Sequence, residues 1–230
     1  MKNDSELLEL QDFLRAALRD PASPQQLAIS GSDEAITWQQ LSVAVTDWAQ
    51  RYQQCNQPAG TPVVLYGHQQ AEFAVALYSC LLHNIPYIPV DCIYPQERLK
   101  EICQLANAPF YYDVAAKKFI ATGITGQVLA EPDLAYIMFT SGSTGKPKGV
   151  QIGRDSVWHF MKWVSQDFSL PEKPVLMNHA VFSFDLSLIP LLANLATGGH
   201  IVLNAKEDIA AENWLDRLKA NDVSVWVSTP

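Results

Sequence analysis

The chain has 230 residues, 48% of them hydrophobic, and a formal net charge of −8 at pH 7. A chain of this size buries the core of one domain or of two small ones, and the lack of any run of Lys or Arg argues against nucleic acid or an anionic membrane as a partner. No stretch reaches the roughly 18 uncharged apolar residues of a membrane helix, and the acidic N-terminus is unlike a secretory signal. We therefore expect a cytoplasmic protein without membrane insertion, whose partners are small molecules or other proteins.

The first predicted elements are a helix, a hairpin and a second helix. Leucines recur at helical spacing between residues 5 and 19. Residues 27–30 and 34–37 are short apolar segments that flank a Gly-Ser-Asp turn, which predicts a β-hairpin. Thr37 is followed three residues later by Gln40, and this spacing is typical of a capping box at the start of a helix.

Strands and helices alternate from residue 63 onward, and this order is typical of βαβ units. It predicts an α/β fold with mostly parallel sheets. A Pro- and Gly-containing stretch at 121–132 is a candidate boundary between two subdomains. The predicted strands are 63–67, 87–90, 134–139, 149–152, 175–178, 200–204 and 223–228. The predicted helices are 71–82, 95–105, 156–166 and 209–220, and residues 186–196 form a further apolar segment.

The most informative segment is a polar loop of ten residues, 140–149, that follows an apolar strand and contains four hydroxyl side chains, three glycines and two lysines. Glycines let backbone N–H groups approach phosphate oxygens, hydroxyls donate hydrogen bonds and lysines supply positive charge, so this composition is typical of a polyphosphate site. It is not a Walker A loop, because Thr140 and Pro147 occupy positions where that motif requires Gly and Ser or Thr. Composition alone leaves a flexible surface linker as the alternative.

The string LAYIMFTSGSTGKPKG at 134–149 closely resembles the signature of the adenylate-forming superfamily, which includes acyl-CoA synthetases, luciferases and the adenylation domains of nonribosomal peptide synthesis. Segments 36–41 and 81–99 are similar to the first and second motifs of that family. The resemblance disfavours the linker and implies a large N-terminal adenylation domain that binds ATP with Mg²⁺ nearby. Lys148 either contacts ATP or holds the loop in place. The residues that the resemblance assigns to the β- and γ-phosphates are Thr140, Ser141, Gly142, Ser143, Thr144, Gly145, Lys146 and Lys148.

A second candidate site is Asp185, which lies between apolar residues in the string FSFDLS at 182–187. A buried carboxylate is unfavourable without a partner, so we expect Asp185 to have one. One interpretation is that Asp185 caps the helix that follows. The other rests on resemblance, because FSFDLS is similar to the motif of amino-acid-specific adenylation domains, whose Asp holds the ammonium group of the substrate. That resemblance implies an amino acid substrate.

Three segments narrow the resemblance further. GVQIGRDSV at 149–157, NHAVFSFDLS at 178–187 and VWVSTP at 225–230 are most similar to ligases that load D-alanine onto a carrier protein. In the implied reaction, ATP activates the carboxylate as an aminoacyl-AMP. The aminoacyl group then passes to the phosphopantetheine thiol of the carrier protein, and the enzyme contributes positioning and charge stabilisation.

Family motifs that come later are missing from the chain. It contains no aromatic-Gly-Pro-Thr-Glu segment, no Thr-Gly-Asp segment and no C-terminal lid with its lysine. By resemblance these supply the metal-binding acid, the adenine and ribose contacts and the lysine that stabilises the transition state. We therefore expect residues 1–230 to be a partial N-terminal adenylation domain, without a complete catalytic set and with little or no activity alone. The alternative is a non-catalytic nucleotide-binding or interaction module derived from such a domain.

Overall fold

The computed structural model describes residues 4–19, 21–31, 33–127, 133–141, 147–204 and 214–228 of the chain. The helices are α1 (Asp4–Arg19), α2 (Trp38–Gln53), α3 (Ala71–Leu82), α4 (Gln96–Leu105), α5 (Arg154–Gln166), α6 (Leu188–Thr197) and α7 (Trp214–Ala220). The strands are β1 (Leu27–Ser30), β2 (Ala35–Thr37), β3 (Val63–Gly67), β4 (Tyr87–Asp91), β5 (Phe110–Asp113), β6 (Lys118–Ala121), β7 (Leu134–Ser141), β8 (Pro147–Gly153), β9 (Val175–Asn178), β10 (His200–Leu203) and β11 (Val225–Val227). A short 3₁₀ turn, Asp185–Ser187, precedes α6. No helix within the described residues is long and apolar enough to cross a membrane.

The strands form two mixed sheets. The first sheet has the order β11-β9-β10-β1-β2, and the second has the order β6-β5-β3-β4-β7-β8. In the first sheet, β1, β9, β10 and β11 run parallel and β2 is antiparallel to β1. In the second, β3, β4, β5 and β7 run parallel, whereas β6 and β8 pair antiparallel with β5 and β7. The mostly parallel α/β fold predicted from the sequence is confirmed.

The centre of the second sheet matches the sequence prediction closely. Strand β3 and helix α3 have the predicted bounds, and β4 extends one residue further, to Asp91. The sequence does not predict β5 and β6, because each has only four residues and neither alternates regularly between buried and exposed positions. The candidate boundary at 121–132 connects β6 to β7. Residues 128–132 lie outside the described residues, and the boundary stays a prediction.

Helix α3 lies between the two sheets. All 12 of its residues are buried. One core contains its side chains together with those of β1 and β10 from the first sheet and of β3 and β7 from the second. Two buried hydroxyls fix its position, since Tyr78 donates to the carbonyl of Leu191 at 3.0 Å and Ser79 donates to that of Val45 at 2.8 Å. A helix that is buried on every face requires such an enclosed place, and α3 thereby holds the two sheets in one arrangement.

The predicted capping box at the start of α2 is confirmed. The N–H of Gln40 donates to Oγ1 of Thr37 at 3.2 Å, and the N–H of Thr37 donates to Oε1 of Gln40 at 2.8 Å. These bonds satisfy backbone donors that the start of a helix leaves without intrahelical partners. Further along α2, the buried Trp48 packs on Tyr112 of β5, with ring centroids 5.4 Å apart. The box therefore begins the helix that covers this side of the second sheet.

A closed charged cluster joins α2, α3 and the β5–β6 hairpin. The buried carboxylate of Glu72 accepts hydrogen bonds from the hydroxyl of Tyr112 and from Arg51, the latter at 3.3 Å. Nζ of Lys117 lies 3.4 Å from the same carboxylate and 3.0 Å from that of Glu34. We call these five residues the Glu72 cluster.

Two members of the Glu72 cluster have raised pKa values. Burial raises the pKa of Tyr112, and its hydrogen bond to Glu72 raises it further. Burial lowers the pKa of Lys117, but the carboxylates of Glu34 and Glu72 raise it by more, so it lies above its usual value. Both groups therefore bind their protons more tightly in the folded chain than in the unfolded one.

Candidate functional site

The polar loop that we expect to bind phosphate joins the antiparallel strands β7 and β8. At the end of this hairpin Thr140 is paired with Lys148, and Ser141 is paired with Pro147. Both Thr140 and Lys148 are exposed, and Thr140 lies on the wall of a cavity. The side chain of Ser141 is not described, and five further predicted residues lie outside the described residues: Gly142, Ser143, Thr144, Gly145 and Lys146.

Gly149 allows β8 to approach β7 closely beside that loop. A Cβ atom at position 149 would lie 2.7 Å from Cγ2 of Ile137 and 3.2 Å from Cζ of Phe139. The first distance is shorter than real Cβ atoms show, so a side chain here would push the two strands apart. The glycine therefore keeps Lys148 opposite Thr140 at the end of the hairpin.

A buried amide network links the carboxyl end of β3 with those of β9 and β10, and so joins the two sheets. Oε1 of Gln69 accepts from Nδ2 of Asn178 and from the backbone N–H of Asn204, each at 3.1 Å. Nε2 of Gln69 donates to the carbonyl of His179 at 3.2 Å, and Nδ2 of Asn204 donates to that of Asn178 at 3.0 Å. Gln69 and Asn178 are 0% exposed. The network fixes the start of the segment that leads from β9 to the 3₁₀ turn.

Asp185 is the first residue of that turn and is exposed. The segment before it is anchored by Phe182, whose ring centroid lies 4.7 Å from that of Phe73 on α3. Oγ of Ser187 donates to the carbonyl of Phe184 at 2.7 Å, which closes the turn. The side chain of Asp185 makes no capping hydrogen bond. The expectations of a buried carboxylate and of a helix cap are both wrong, because the chain buries Phe182 before the turn but leaves Phe184 and Asp185 exposed.

Asp185 lies on a wall shared by two cavities, together with Tyr136 of β7 and Ile152 of β8. The larger cavity has a volume of about 710 Å³ and is also lined by Thr140, so the loop strand and Asp185 face the same space. The smaller cavity has a volume of about 380 Å³. Apart from Ser156, its other lining residues are apolar: Val157, Phe160, Leu186, Leu188, Ile189 and Leu192.

The carboxylate of Asp185 acts electrostatically on Tyr136. Burial, with a smaller contribution from the negative charge of Asp185, raises the pKa of Tyr136 to about 12. The ring of Tyr136 also packs on Tyr87 of β4, with centroids 5.5 Å apart. The phenol is therefore protonated at neutral pH and is a hydrogen-bond donor on the same cavity wall as the carboxylate.

A buried histidine–carboxylate pair lies at the carboxyl ends of β3 and β4. Nδ1 of His68 lies 2.8 Å from Oδ2 of Asp91, and the backbone N–H of Ile93 donates to Oδ1 of Asp91 at 2.9 Å. Nε2 of His68 is buried and has no hydrogen-bond partner among the described residues. Across the described ranges, no group of three His, Cys, Asp or Glu side chains converges as a metal site would require. The pair ties β3 to β4 at the sheet edge from which the loop also extends.

Sequence reasoning singled out Thr140, Lys148 and Asp185 but missed Gln69 and Tyr136. Tyr136 lies in an apolar strand and follows the pattern of a core residue. Gln69 carried a usable signal, since it is a polar residue just after a buried strand, where parallel sheets place their sites. Its partners, however, are 109 and 135 positions away along the chain, and no local pattern identifies them.

A protein-family model described as AMP-binding enzyme matches this chain at residues 15–125 and 113–230. The chain belongs to the AMP-binding enzyme family. This match confirms the resemblance to adenylate-forming enzymes that the string at 134–149 indicated. The hairpin that carries Thr140 and the turn that carries Asp185 both lie within the matched residues.

Similar members of the AMP-binding enzyme family include two D-alanine--D-alanyl carrier protein ligases. The D-alanine--D-alanyl carrier protein ligase of Bacillus licheniformis is 32% identical over 228 residues, which cover 90% of this chain and 45% of the relative. The ligase of the same name from Bacillus velezensis is 33% identical over 233 residues, which cover 91% of this chain and 46% of the relative. The chain therefore spans about half the length of the curated relatives it matches.

Solved structures show the same fold for this AMP-binding enzyme domain. The four-domain nonribosomal peptide synthetase holo-AB3403, bound to AMP and glycine, matches with a TM-score of 0.77 at 22% identity, over 97% of this chain and 18% of that one. The o-succinylbenzoate coenzyme A synthetase of Bacillus subtilis, in complex with ATP and magnesium ion, matches with a TM-score of 0.72 at 18% identity, over 93% of this chain and 62% of that one. The two-sheet arrangement is therefore that of adenylate-forming enzymes.

Proposed function

We propose that this chain takes part in the ATP-dependent activation of an amino acid, with D-alanine as the substrate, and in its transfer to a phosphopantetheine carrier protein. The observation that carries the proposal is the position of Asp185 between an apolar cavity and a cavity that Thr140 also lines. In this arrangement one carboxylate lies between a space for an apolar side chain and the strand that leads into the phosphate loop.

Asp185 suits the ammonium group of an amino acid. Its side chain makes no hydrogen bond or ion pair within the described residues, so a ligand can supply the partner. A charge-assisted hydrogen bond of this kind contributes about 1.5–3 kcal/mol. The smaller cavity is lined by apolar side chains such as Phe160 and Ile189, which favour a small apolar substituent over a charged one. The identity of 32% to the B. licheniformis ligase supports D-alanine as the amino acid.

ATP is the second substrate of the proposed reaction. An oxygen of the amino acid carboxylate attacks the α-phosphorus and forms a new P–O bond. The bond from that phosphorus to the oxygen bridging to the β-phosphate breaks, and pyrophosphate leaves with the electron pair. In this step the hydroxyl of Thr140 donates a hydrogen bond to a phosphate oxygen, and Lys148 contacts ATP or holds the loop in place. Phosphate binding by residues 141–146 stays a prediction from the sequence.

Magnesium ion fits this site as a partner of ATP. The synthetase structure from Bacillus subtilis contains both ATP and magnesium ion. Mg²⁺ commonly takes its protein-site ligands from one or two carboxylates and from substrate phosphates. In our proposal the phosphate oxygens of ATP would hold the ion at this site. The ion would supply charge neutralisation at the triphosphate.

The second half-reaction passes the aminoacyl group to the carrier protein. The thiolate of the phosphopantetheine arm attacks the carbonyl carbon of the aminoacyl-AMP, a thioester forms and AMP leaves. Such a thiol persists in a reducing compartment. The four cysteines of this chain are free, which suits the same compartment: Cys55, Cys80, Cys92 and Cys103. We therefore place the reaction in the cytoplasm, where ATP is also available.

The test is ATP–pyrophosphate exchange with D-alanine, L-alanine and glycine. It is measured for this chain alone and for this chain fused to the remaining half of the B. licheniformis ligase. We expect little or no exchange by the chain alone and a preference for D-alanine in the fusion. Asp185→Asn in the fusion should lower kcat/KM for D-alanine about 10- to 150-fold, mainly through KM, because the charge-assisted bond is lost.

Asp167→Asn is the matched control for this experiment. Asp167 is exposed at the end of α5 and lines neither cavity, so its substitution should leave exchange unchanged. Undiminished exchange after Asp185→Asn would refute the ammonium-binding role. ATP binding without exchange in both proteins would favour the non-catalytic module, and robust exchange by the chain alone would overturn the expectation of little activity.

A further inference from the structure

In the second sheet, strands β4 and β7 pair over a shorter length than strands β3 and β4 do. Within these two described strands the ladder is registered at one pair, Tyr87 with Tyr136, whereas β3 and β4 are in register along their full length. The larger cavity opens at the carboxyl ends of β4 and β7, where Val90 and Thr140 line it. Arg98 of helix α4 also lines this cavity. The opening therefore extends from the turn that carries Asp185 to the helix that follows β4.

Arg98 is the only cation among the described residues that line the larger cavity. It is partly buried, and its guanidinium group makes no hydrogen bond, ion pair or ring contact with any described residue. Two other arginines that are at least partly buried have partners, since Arg51 pairs with Glu72 and Arg154 donates to the carbonyl of Leu81. A guanidinium group that loses water without gaining a partner is complementary to an anionic ligand.

A hydroxyl group in the same cavity also lacks a partner. Oγ of Ser183 is buried and makes no hydrogen bond within the described residues, and Ser183 lines the larger cavity. A guanidinium and a hydroxyl group are both donors suited to phosphate oxygens. The cavity volume of about 710 Å³ lies within the range of roughly 300–1,000 Å³ that small-molecule sites occupy. The cavity therefore has the size and the donors for a phosphate-bearing compound.

We propose that Arg98 binds a phosphate group of a ligand held in the larger cavity. The inference rests on the proposed function, which supplies two sources of phosphate: ATP with its pyrophosphate product, and the phosphopantetheine arm. The planar guanidinium group can contact two phosphate oxygens at once. Asp185, the only anion that lines the cavity among the described residues, is taken up by the ammonium group of the amino acid and leaves Arg98 to the phosphate.

Isothermal titration calorimetry of this chain with MgATP, with magnesium pyrophosphate and with 4′-phosphopantetheine tests the proposal. We expect Arg98→Gln to weaken binding of at least one of these compounds by about tenfold or more, because charge-assisted hydrogen bonds are lost. Arg98→Lys keeps the charge but not the planar fork, and should retain part of the affinity. Lys100→Gln is the matched control, since Lys100 is exposed on the same helix and does not line the cavity.

The outcomes separate the two phosphate sources and the two proposals. Weaker binding of MgATP and pyrophosphate identifies the nucleotide, and weaker binding of 4′-phosphopantetheine alone identifies the carrier arm. Unchanged affinities after Arg98→Gln, or an equal loss after Lys100→Gln, overturn the inference, as does a wild-type chain that binds none of the three compounds. If Asp185→Asn abolishes exchange in the fusion while Arg98→Gln changes no phosphate affinity, the proposed function stands and this inference fails.

Discussion

The Glu72 cluster and the larger cavity both contain charged side chains, but the two regions satisfy those charges differently. In the cluster, one buried carboxylate is contacted by two cations and a phenol. In the cavity, the side chains of Arg98 and Asp185 make no hydrogen bond or ion pair with each other or with any other described residue. Charges that are paired within the chain fix its fold, whereas charges that line a cavity without partners are open to a ligand.

The two regions should respond differently in two measurements, the free energy of unfolding and the affinity for ligands. A substitution in the Glu72 cluster should lower the free energy of unfolding and leave the remaining folded chain able to bind ligands. Substitution of Arg98 or Asp185 should weaken binding and change the free energy of unfolding little, because neither side chain has a partner among the described residues to lose. A cluster variant with an unchanged free energy of unfolding, or a cavity variant with a strongly lowered one, would contradict this division.

The largest expected change in stability follows from Glu72→Gln. Loss of the buried carboxylate leaves Arg51 and Lys117 without their shared anion, so the free energy of unfolding should fall by about 3 kcal/mol. Urea denaturation followed by tryptophan fluorescence measures it. Glu97→Gln, at an exposed position of α4, is the control and should change stability by less than about 0.5 kcal/mol. A loss below about 1 kcal/mol in the cluster variant would contradict the role given to Glu72.

A smaller loss of stability is expected for Gln69→Leu. This substitution tests whether the buried amide network stabilises only the fold or also positions the cavity residues. The substitution leaves the buried donors of Asn178 and Asn204 without their acceptor, so the free energy of unfolding should fall by about 2 kcal/mol. Because the network fixes the segment that leads to Asp185, we also expect a raised KM for D-alanine in the fusion.

Gln70→Leu is the matched control for that substitution. The side chain of Gln70 makes no capping hydrogen bond at the start of α3, so both stability and KM should stay close to the wild-type values. A stability loss with an unchanged KM in the Gln69 variant would assign the network to the fold alone and separate it from the cavity.

The smallest expected effect is the pH dependence of the Lys117 contribution. Because its pKa is raised in the folded chain, the contribution is complete below the unfolded pKa of about 10.5 and is lost as the pH rises through the higher folded pKa. The stability difference between the wild type and Lys117→Met should therefore narrow as the pH rises above about 10.5 in urea titrations. A constant or widening difference would show that the contacts of Lys117 with Glu34 and Glu72 do not stabilise its charged form.

The sequence allowed prediction of those features that depend on neighbours along the chain. Helix α3 is a largely apolar segment, and the capping box needs only Thr37 and Gln40, three positions apart. The site depends on contacts between distant segments, such as that between Gln69 and Asn178, which are 109 positions apart. Periodicity shows which face of an element is buried but does not show which distant group it meets. Periodicity alone therefore does not distinguish Arg98 from the other polar residues of α4.

The prediction for Asp185 shows a related limit. Its apolar neighbours in the sequence indicated burial, but positions close together in this segment differ in exposure. Phe182 is 1% exposed, whereas Phe184, just before the 3₁₀ turn, is 47% exposed. The chemical type of Asp185 and its family motif indicated a candidate site residue, but its exposure depends on backbone geometry that the apolar pattern does not contain.

The first sheet takes strands from chain segments on both sides of the second sheet, and this has a consequence during synthesis. Ile29 of β1 pairs with Ile201 of β10, and Oγ of Ser30 lies 2.8 Å from Nε2 of His200, 170 positions later. On a ribosome that adds roughly 5–20 residues per second, the β1–β2 hairpin waits about 10–30 s for β10 to emerge. The second sheet, from β3 to β8, is complete before then. The second sheet can therefore form first, together with α3. The β1–β2 hairpin and the later strands of the first sheet then pack against α3.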